Sequence, residues 1–340
     1  MNILVAGGAG YIGTHTCVSL LQSGHDVLVV DSLVNSRRDQ LQRIQTITGK
    51  QAEFIEADIR DRPSLQRIFA GHRIDAVINF AGHKAVGESM QSPLGYYDNN
   101  LNCAIALLEA MTSHGVDCLV FSSSAAVYGE PESLPIAETA RTAPQSPYGR
   151  TKLHIEEMLS DMARSNPDWK IALLRYFNPV GAHPGGLIGE QSSGPPMNLF
   201  PLVTRVAAGE QERLDVFGSD YDTRDGSAIR DYIHVMDLAR GHVNALQALE
   251  ARNEGGVLTV NLGTGKGYSV LEIIQSFESV CGLKIPYRCV KRRAGDMARC
   301  YADPALAKQL LGWQAEYGLE EMCRDAWNWQ LRMNKPDRAG

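Results

Sequence analysis

Short apolar runs alternate with longer amphipathic ones through the first half of the chain. Asn2–Ala6, Asp26–Val30, Ala52–Glu56, Asp75–Asn79, Asp117–Ser122 and Lys170–Arg175 read as strands. Most are nearly unbroken apolar stretches, the pattern of parallel strands covered on both faces. The segments between them carry a helical period; Leu101, Ile105, Leu108 and Met111, for example, fall on one stripe. Strands and helices in this order predict an α/β fold with a doubly wound parallel sheet. From about Phe177 the texture changes. Glycine and proline cluster through Pro179–Pro201 and no period survives, so a long irregular segment is expected there, functional or disordered. Helix- and strand-like pieces then recur without the earlier alternation. The expected organisation is a domain over 1–176, with 231–249 packing back on it, and a smaller C-terminal α/β domain over 177–340.

Composition narrows the classes. A chain of 340 residues with 44% hydrophobic content can bury a sizeable core, and its formal net charge of −6 argues against nucleic acid as the main partner. No apolar run is long enough for a membrane span. Met1 leads directly into a strand-like run rather than a leader segment, which with the cysteine pattern makes a cytoplasmic location the expectation. The cysteines, at 17, 103, 118, 281, 289, 300 and 323, are odd in number and show no CxxC spacing, so reduced thiols and no metal are expected.

Gly7, Gly10 and Gly13 lie between the first strand and the first helix. Glycine is required where a backbone turns tightly and must approach a pyrophosphate, and the helix that follows aims N–H groups at the phosphates. A glycine triple is weak alone; the strand–glycine–helix order makes it a Rossmann-type dinucleotide fingerprint. Asp31 ends the second strand, where a carboxylate accepts hydrogen bonds from the adenine-ribose hydroxyls and repels a 2′-phosphate, favouring NAD over NADP. Arg37 and Arg38 stand nearby and could reach such a phosphate. Asp58 follows the third strand and is a candidate adenine contact.

Ser122, Ser123 and Ser124 follow the fifth strand, on the side of the sheet where ligands of such folds bind. Tyr148 and Lys152 follow at i and i+4, on one face of a helix. Removing hydride from a carbinol carbon requires removing its hydroxyl proton too. A phenol is a poor base at neutral pH; lowering its pKa by about three units takes roughly 4 kcal/mol. A lysine ammonium and a cationic nicotinamide both favour the phenolate. Ser124 can bond the reacting oxygen.

With these residues in view, the sequence resembles the extended short-chain dehydrogenase/reductases and, within them, the UDP-glucose and UDP-N-acetylglucosamine 4-epimerases. The likeness spans nearly the whole chain and rests on GGAGYIG (7–13), AGHKAVGES (81–89), YYDNN (96–100), SSSAAVYG (122–129), SPYGRTK (146–152), LRYFNPVGAHP (174–184) and RDYIHVMDLA (230–239). It implies a catalytic set of Ser124, Tyr148 and Lys152. NAD contacts are implied for these three and for Gly7, Gly10, Tyr11, Ile12, Gly13, Asp31, Asn35, Ser36, Asp58, Ile59, Phe80, Ala81, Gly82, Lys84, Asn99 and Phe177. UDP-sugar contacts are implied for Lys84, Ser124, Tyr148, Asn178, Asn198, Leu199, Phe217, Arg230, Arg293, Asp296 and Cys300. Arginine suits a diphosphate because its planar fork meets phosphate oxygens bidentately. Cys300 stands where glucose-specific members often carry tyrosine, which implies turnover of N-acetylated sugars as well, with neighbouring Arg299 able to refill part of the gap. A homodimer is also implied.

The implied reaction is a reversible oxidation at C4, a turn of the 4-keto sugar with UDP anchored, and reduction on the opposite face. Three other readings compete. A 4,6-dehydratase needs an added acid/base pair beside the triad hydroxyl, but Ser124 is followed by Ala125 and Ala126. A simple dehydrogenase or reductase would release NADH stoichiometrically. A non-catalytic NAD-binding regulator would be expected to lose Tyr148 or Lys152.

Overall fold

The apolar runs of the first half become strands of one parallel sheet. The computed structural model describes residues 1–191, 196, 198–293 and 295–334. In chain order the elements are β1 (Asn2–Ala6), α1 (Tyr11–Gln22), β2 (Asp26–Asp31), α2 (Asp39–Thr48), β3 (Glu53–Glu56), α3 (Arg62–Gly71), β4 (Ala76–Asn79), α4 (Val86–Gln91), α5 (Pro93–Ser113), β5 (Cys118–Ser124), α6 (Pro147–Ser165) and β6 (Lys170–Tyr176). There follow β7 (Asn178–Val180), α7 (Leu199–Ala207), β8 (Leu214–Phe217), β9 (Ile229–His234), α8 (Val235–Glu250), β10 (Gly256–Leu262), β11 (Gly267–Ser269), α9 (Val270–Cys281), β12 (Tyr287–Val290), β13 (Arg299–Cys300), α10 (Ala305–Leu311) and α11 (Leu319–Met333).

The central sheet has seven strands in the order β10-β6-β5-β4-β1-β2-β3, all parallel. Alternate residues feed two separate cores, as the two-residue period of a strand requires. Ile3, Val5, Val27 and Val29 pack with Val18 and Leu21 of α1 and Leu246 of α8, whereas Leu4, Ala6, Leu28 and Val30 pack with Leu65 of α3, Leu107 of α5 and Leu159 of α6. The chain winds outward from β1 in both directions, so the carboxyl ends of β1 and β4 border the crevice where such sheets bind ligands.

Of residues 231–249, the first four lie in β9 and the rest in α8, which packs against α1. It also delivers β10, which pairs with β6 from Gly256↔Lys170 to Leu262↔Tyr176. The range expected for the second domain, 177–340, thus includes one strand of the central sheet. Leu258, Val260 and Leu262 are buried in one sheet core, and Val257 packs against the other.

The remaining strands build a second layer around β9, which pairs with β7 and β13 in parallel and with β11 antiparallel; β8 and β12 form a separate parallel pair. Phe200, Val216, Tyr232, Ile274, Phe277 and Met322 form its core. The irregular segment expected over Pro179–Pro201 is bracketed more tightly than its composition suggests, by β7 at its start and α7 from Leu199. Its positions 192–195 and 197 lie outside the described residues. All seven cysteines are unpaired.

Candidate active site

The glycine loop follows β1 into α1. Gly7 takes φ +74°, and a Cβ there would sit 2.9 Å from the Ala81 nitrogen, so only glycine lets the loop lie against the end of β4. Gly10 caps α1 with no side-chain acceptor, which leaves the first turn, from Tyr11 through Ile12 to Gly13, to present its N–H groups to an anion. Asp31 is buried at the end of β2 and accepts from the Ala9 N–H at 3.0 Å, the Leu33 N–H at 2.9 Å and the Ser36 hydroxyl at 2.7 Å. Its carboxylate is thus fixed beside the glycine loop. Arg37 pairs with Asp39 at 3.3 Å, and Arg38 pairs with Glu56 at 2.7 Å while lying over Phe54. Neither arginine is turned toward Asp31 to welcome a 2′-phosphate. A glycine cradle that any Cβ would fill, next to a held carboxylate, fits the pyrophosphate and ribose of NAD.

Other expected cofactor residues fall on the same rim with different parts exposed. Asp58 is tied to Arg60 by paired hydrogen bonds, which hold its carboxyl below the usual range. Ile59 is buried in the core, Ala81 packs at its edge, and Ile12 packs on the opposite core, so contacts from these three come from backbone. Gly82 lies against Asn100 and Asn99 also bonds Asn100, whose amide reaches the His83 carbonyl and Thr151. Phe80 packs on His242 with ring centroids 4.8 Å apart. Asn35 is exposed beyond β2. The Tyr11 hydroxyl donates to the Gly181 carbonyl at 2.7 Å, and Lys84 Nζ lies 5.8 Å from the Tyr11 ring centre.

At the end of β5 the serine row meets α6. Ser146 caps that helix by accepting from the Gly149 N–H at 3.1 Å, with Pro147 in its first turn. A Cβ on Gly149 would lie 2.6 Å from the Ala126 carbonyl, so glycine lets α6 approach the turn after Ser124. Tyr148 and Lys152 are both buried, at 7% and 6% exposure. Burial pushes the Tyr148 phenol up, and a hydrogen bond from Ser124 opposes this. Lys152 donates to the Ser122 carbonyl at 2.7 Å, with Nζ 6.0 Å from the Tyr148 ring centre. Burial lowers Lys152 to about 8 against the pull of Glu156. Ser124 favours the phenolate; Lys152 gives its hydrogen bond to a carbonyl rather than to the phenol, so its help to the phenolate is that of a nearby charge.

The second layer brings the remaining candidates to the same mouth. Arg230 on β9 donates through Nη1 to the Ile229 carbonyl at 2.9 Å and the Met297 carbonyl at 2.7 Å. Asp296 lies 3.8 Å from its Nη2 and accepts from Arg293 Nε at 3.1 Å. Arg293 also lies 4.5 Å over the Phe217 ring at the end of β8. Asn178 is exposed at the start of β7; Asn198 caps α7 ahead of the half-buried Leu199. Cys300 sits opposite Arg230 in the β13–β9 register, buried with Ala125, Tyr128 and Phe177. Burial pushes its thiol up to about 11, so it is neutral. Arg299 points the other way and bonds Asp222, so it leaves the space beside Cys300 untouched.

Sequence reasoning passed over three groups that organise this site. Glu190 accepts from Asn198 at 2.7 Å and pairs with Lys84 at 3.3 Å, joining the two layers. Asp231, fully buried, accepts from the Thr264, Gly265 and Ala302 N–H groups and the Thr264 hydroxyl, tying the β10–β11 loop and the chain just after β13 to β9. Glu156 lies one turn beyond Lys152; its i+4 spacing on the Tyr148/Lys152 stripe is a signal that could have found it.

A sequence model of the NAD dependent epimerase/dehydratase family matches residues 3–263. The UDP-glucose 4-epimerase of Bacillus subtilis is 56% identical over 330 residues, covering 97% of each chain. Among solved structures, UDP-glucose-4-epimerase from Stenotrophomonas maltophila, with bound NAD and formylated UDP-arabinopyranose, superposes with a TM-score of 0.95 at 54% identity over 98% of each chain. The UDP-glucose 4-epimerase of Bifidobacterium longum in complex with NAD+ and UDP gives a TM-score of 0.94 at 49% identity, again over 98% of each chain. With the glycine cradle, the serine–tyrosine–lysine set and these matches along its length, the chain belongs to the NAD dependent epimerase/dehydratase family.

Proposed function

We propose that the chain is an NAD-dependent UDP-hexose 4-epimerase that interconverts UDP-glucose and UDP-galactose through a transient 4-keto sugar. The observation that carries the reading is the buried Tyr148 with Lys152 one turn on, donating to the Ser122 carbonyl, at the carboxyl end of a sheet whose glycine cradle fits NAD. Bound NAD supplies the hydride acceptor and donor and a cationic ring. Tyr148 takes the 4-hydroxyl proton as C4 is oxidised, while Ser124 bonds the reacting oxygen. Arg230 and Arg293 hold the diphosphate while the keto sugar turns beneath it. Tyr148 then returns the proton with the sugar's opposite face toward the ring. Gly7, Gly10, Gly13 and Asp31 would keep the cofactor in place between the two half-reactions, and because the hydride removed from C4 is returned to C4, no net redox occurs.

The dehydratase alternative lacks support in the turn after Ser124, where Ala125 and Ala126 offer no acid or base. In the sugar pocket, neutral Cys300, with Arg299 turned away, leaves room for a C2 substituent larger than hydroxyl. The reading therefore extends to UDP-N-acetylglucosamine and UDP-N-acetylgalactosamine. In this account the central sheet with α8 and β10 binds NAD, and the layer around β9 binds the UDP-sugar. No described helix is long and apolar enough to cross a membrane; unpaired cysteines support a cytoplasmic location. A homodimer is consistent with Leu94, 81% exposed, and Met90, 59% exposed, on neighbouring helices.

The test compares the wild type with Tyr148→Phe on UDP-galactose. The variant is expected to keep its fold and bound NAD and to lose about three orders of magnitude in turnover, in the range for a general base. Turnover within tenfold of the wild type would remove Tyr148 as the base.

A further inference from the structure

Helix α6 carries three residues one turn apart, Tyr148, Lys152 and Glu156, and β5 ends in three consecutive serines. The rows meet rung by rung. Ser124 opposes the rise that burial imposes on the Tyr148 phenol, Lys152 donates to the Ser122 carbonyl at 2.7 Å, and the Ser123 hydroxyl donates to Glu156 Oε1 at 2.5 Å. The reaction uses the first two rungs and leaves the third without a role. Glu156 is 3% exposed and is clamped from β6 by Arg175, whose Nη2 lies 2.6 Å from Oε2 and whose Nε lies 3.0 Å from Oε1. Arg175 is itself fixed by the Tyr128 hydroxyl at 3.2 Å and the Glu138 carbonyl at 3.3 Å. Held on both sides, the carboxylate is fixed one turn from Lys152 on the same face of α6. A buried ion pair seldom stabilises a fold more than apolar packing of the same volume would, so one fixed behind the reacting stripe calls for another account.

We propose that Glu156 is a positioning residue of the reaction: its carboxylate, fixed by Arg175 and Ser123, is the counter-charge that keeps Lys152 an ammonium directed at Ser122 behind Tyr148. The proposal rests on the epimerase reading of the Tyr148/Lys152 site. The Glu156 charge is the largest influence opposing the burial of Lys152. The other groups facing the stripe do not substitute for it. Cys103 on α5 is a thiol pushed up to about 12 by burial. Tyr96 on α5 and Tyr176 on β6 are phenols raised by burial, and Glu88 on α4 reaches the stripe only through the Tyr96 hydroxyl. Arg175 presents its charge from behind Glu156.

Glu156→Gln keeps the shape and removes the charge. It leaves Arg175 buried without its partner, so Glu156→Gln/Arg175→Met, which removes the pair as a unit, is measured beside it. Each purified holoenzyme is assayed for UDP-galactose epimerisation from pH 6 to pH 10. In both variants KM should stay within about twofold, while the alkaline limb of kcat moves down by about one pH unit. Glu156→Asp should return the limb toward the wild-type position. An unmoved limb in a folded variant overturns the proposal, and so does failure of both variants to fold, which would assign the pair to folding alone. Wild-type inactivity on UDP-galactose would overturn the epimerase reading and the proposal with it.

Discussion

Replacing Arg230 by alanine should weaken UDP binding far more than replacing Arg293, although both carry the same charge and the same proposed role toward the diphosphate. Arg230 is 16% exposed, and two backbone carbonyls already hold its guanidinium. Arg293 is 53% exposed, with one hydrogen bond to Asp296 and a ring beneath it. A charge-assisted contact is worth about 1.5–3 kcal/mol, and ordering a long, mobile side chain costs up to about 1.5 kcal/mol of that. Arg230 has met this cost in folding; Arg293 meets it on binding. The expected losses are therefore about 3 kcal/mol, or about a hundredfold in Kd, for Arg230→Ala, and about 1.5 kcal/mol, or about tenfold, for Arg293→Ala. Titration calorimetry with UDP on NAD-loaded protein reads both, with thermal unfolding as the check that the carbonyls freed by Arg230→Ala have not disturbed β9. Equal losses, or a larger loss for Arg293→Ala, would refute the preorganisation argument. Unchanged affinity in both would remove the arginines from the site.

Two further outcomes follow from buried groups. Cys300→Tyr should lower kcat/KM for the N-acetylated pair by at least about tenfold while sparing the UDP-glucose pair, since a few kcal/mol of steric cost falls on the larger substituent; equal effects on both pairs would remove Cys300 as the gate. His242 is buried with a pKa lowered to about 4, its Nδ1 on the Leu238 carbonyl and its Nε2 on the Ser122 hydroxyl. Because its folded pKa is below its unfolded value, the unfolded state binds the extra proton, so stability is lost as pH falls from about 6.5 toward 4. At pH 5 the loss is about 2 kcal/mol. Urea unfolding at pH 7 and pH 5 should show it, and a His242→Gln variant with an undiminished pH dependence would contradict it.

The sheet was legible because its strands are buried on both faces and their apolar runs stand out against amphipathic helices. Each of the six expected strands lies within two residues of its observed bounds. β10 escaped because its place beside β6 is set by the crossover through α8, a tertiary fact that no local period carries. The site divides the same way. Tyr148 and Lys152 share a helix face, and Gly7, Gly10 and Gly13 share a loop, so spacing alone brings each set together. Lys84 and Glu190 are 106 positions apart, and their meeting depends on how the two layers close. The direction of Arg299 was open until β13 supplied its alternation, with Arg299 exposed and Cys300 buried. Lys152 was expected to favour the phenolate by its charge; that its hydrogen bond goes to the Ser122 carbonyl was not legible, because this contact depends on how α6 packs on the end of β5.

The central claim is tested most directly by incubating the purified protein with UDP-galactose, without added NAD, and separating the nucleotide sugars while monitoring absorbance at 340 nm. The account predicts a mixture of UDP-galactose and UDP-glucose, reached equally from either sugar, with no NADH released in proportion to product. Stoichiometric NADH release, a 6-deoxy product, or no conversion by a folded, NAD-loaded protein would contradict it.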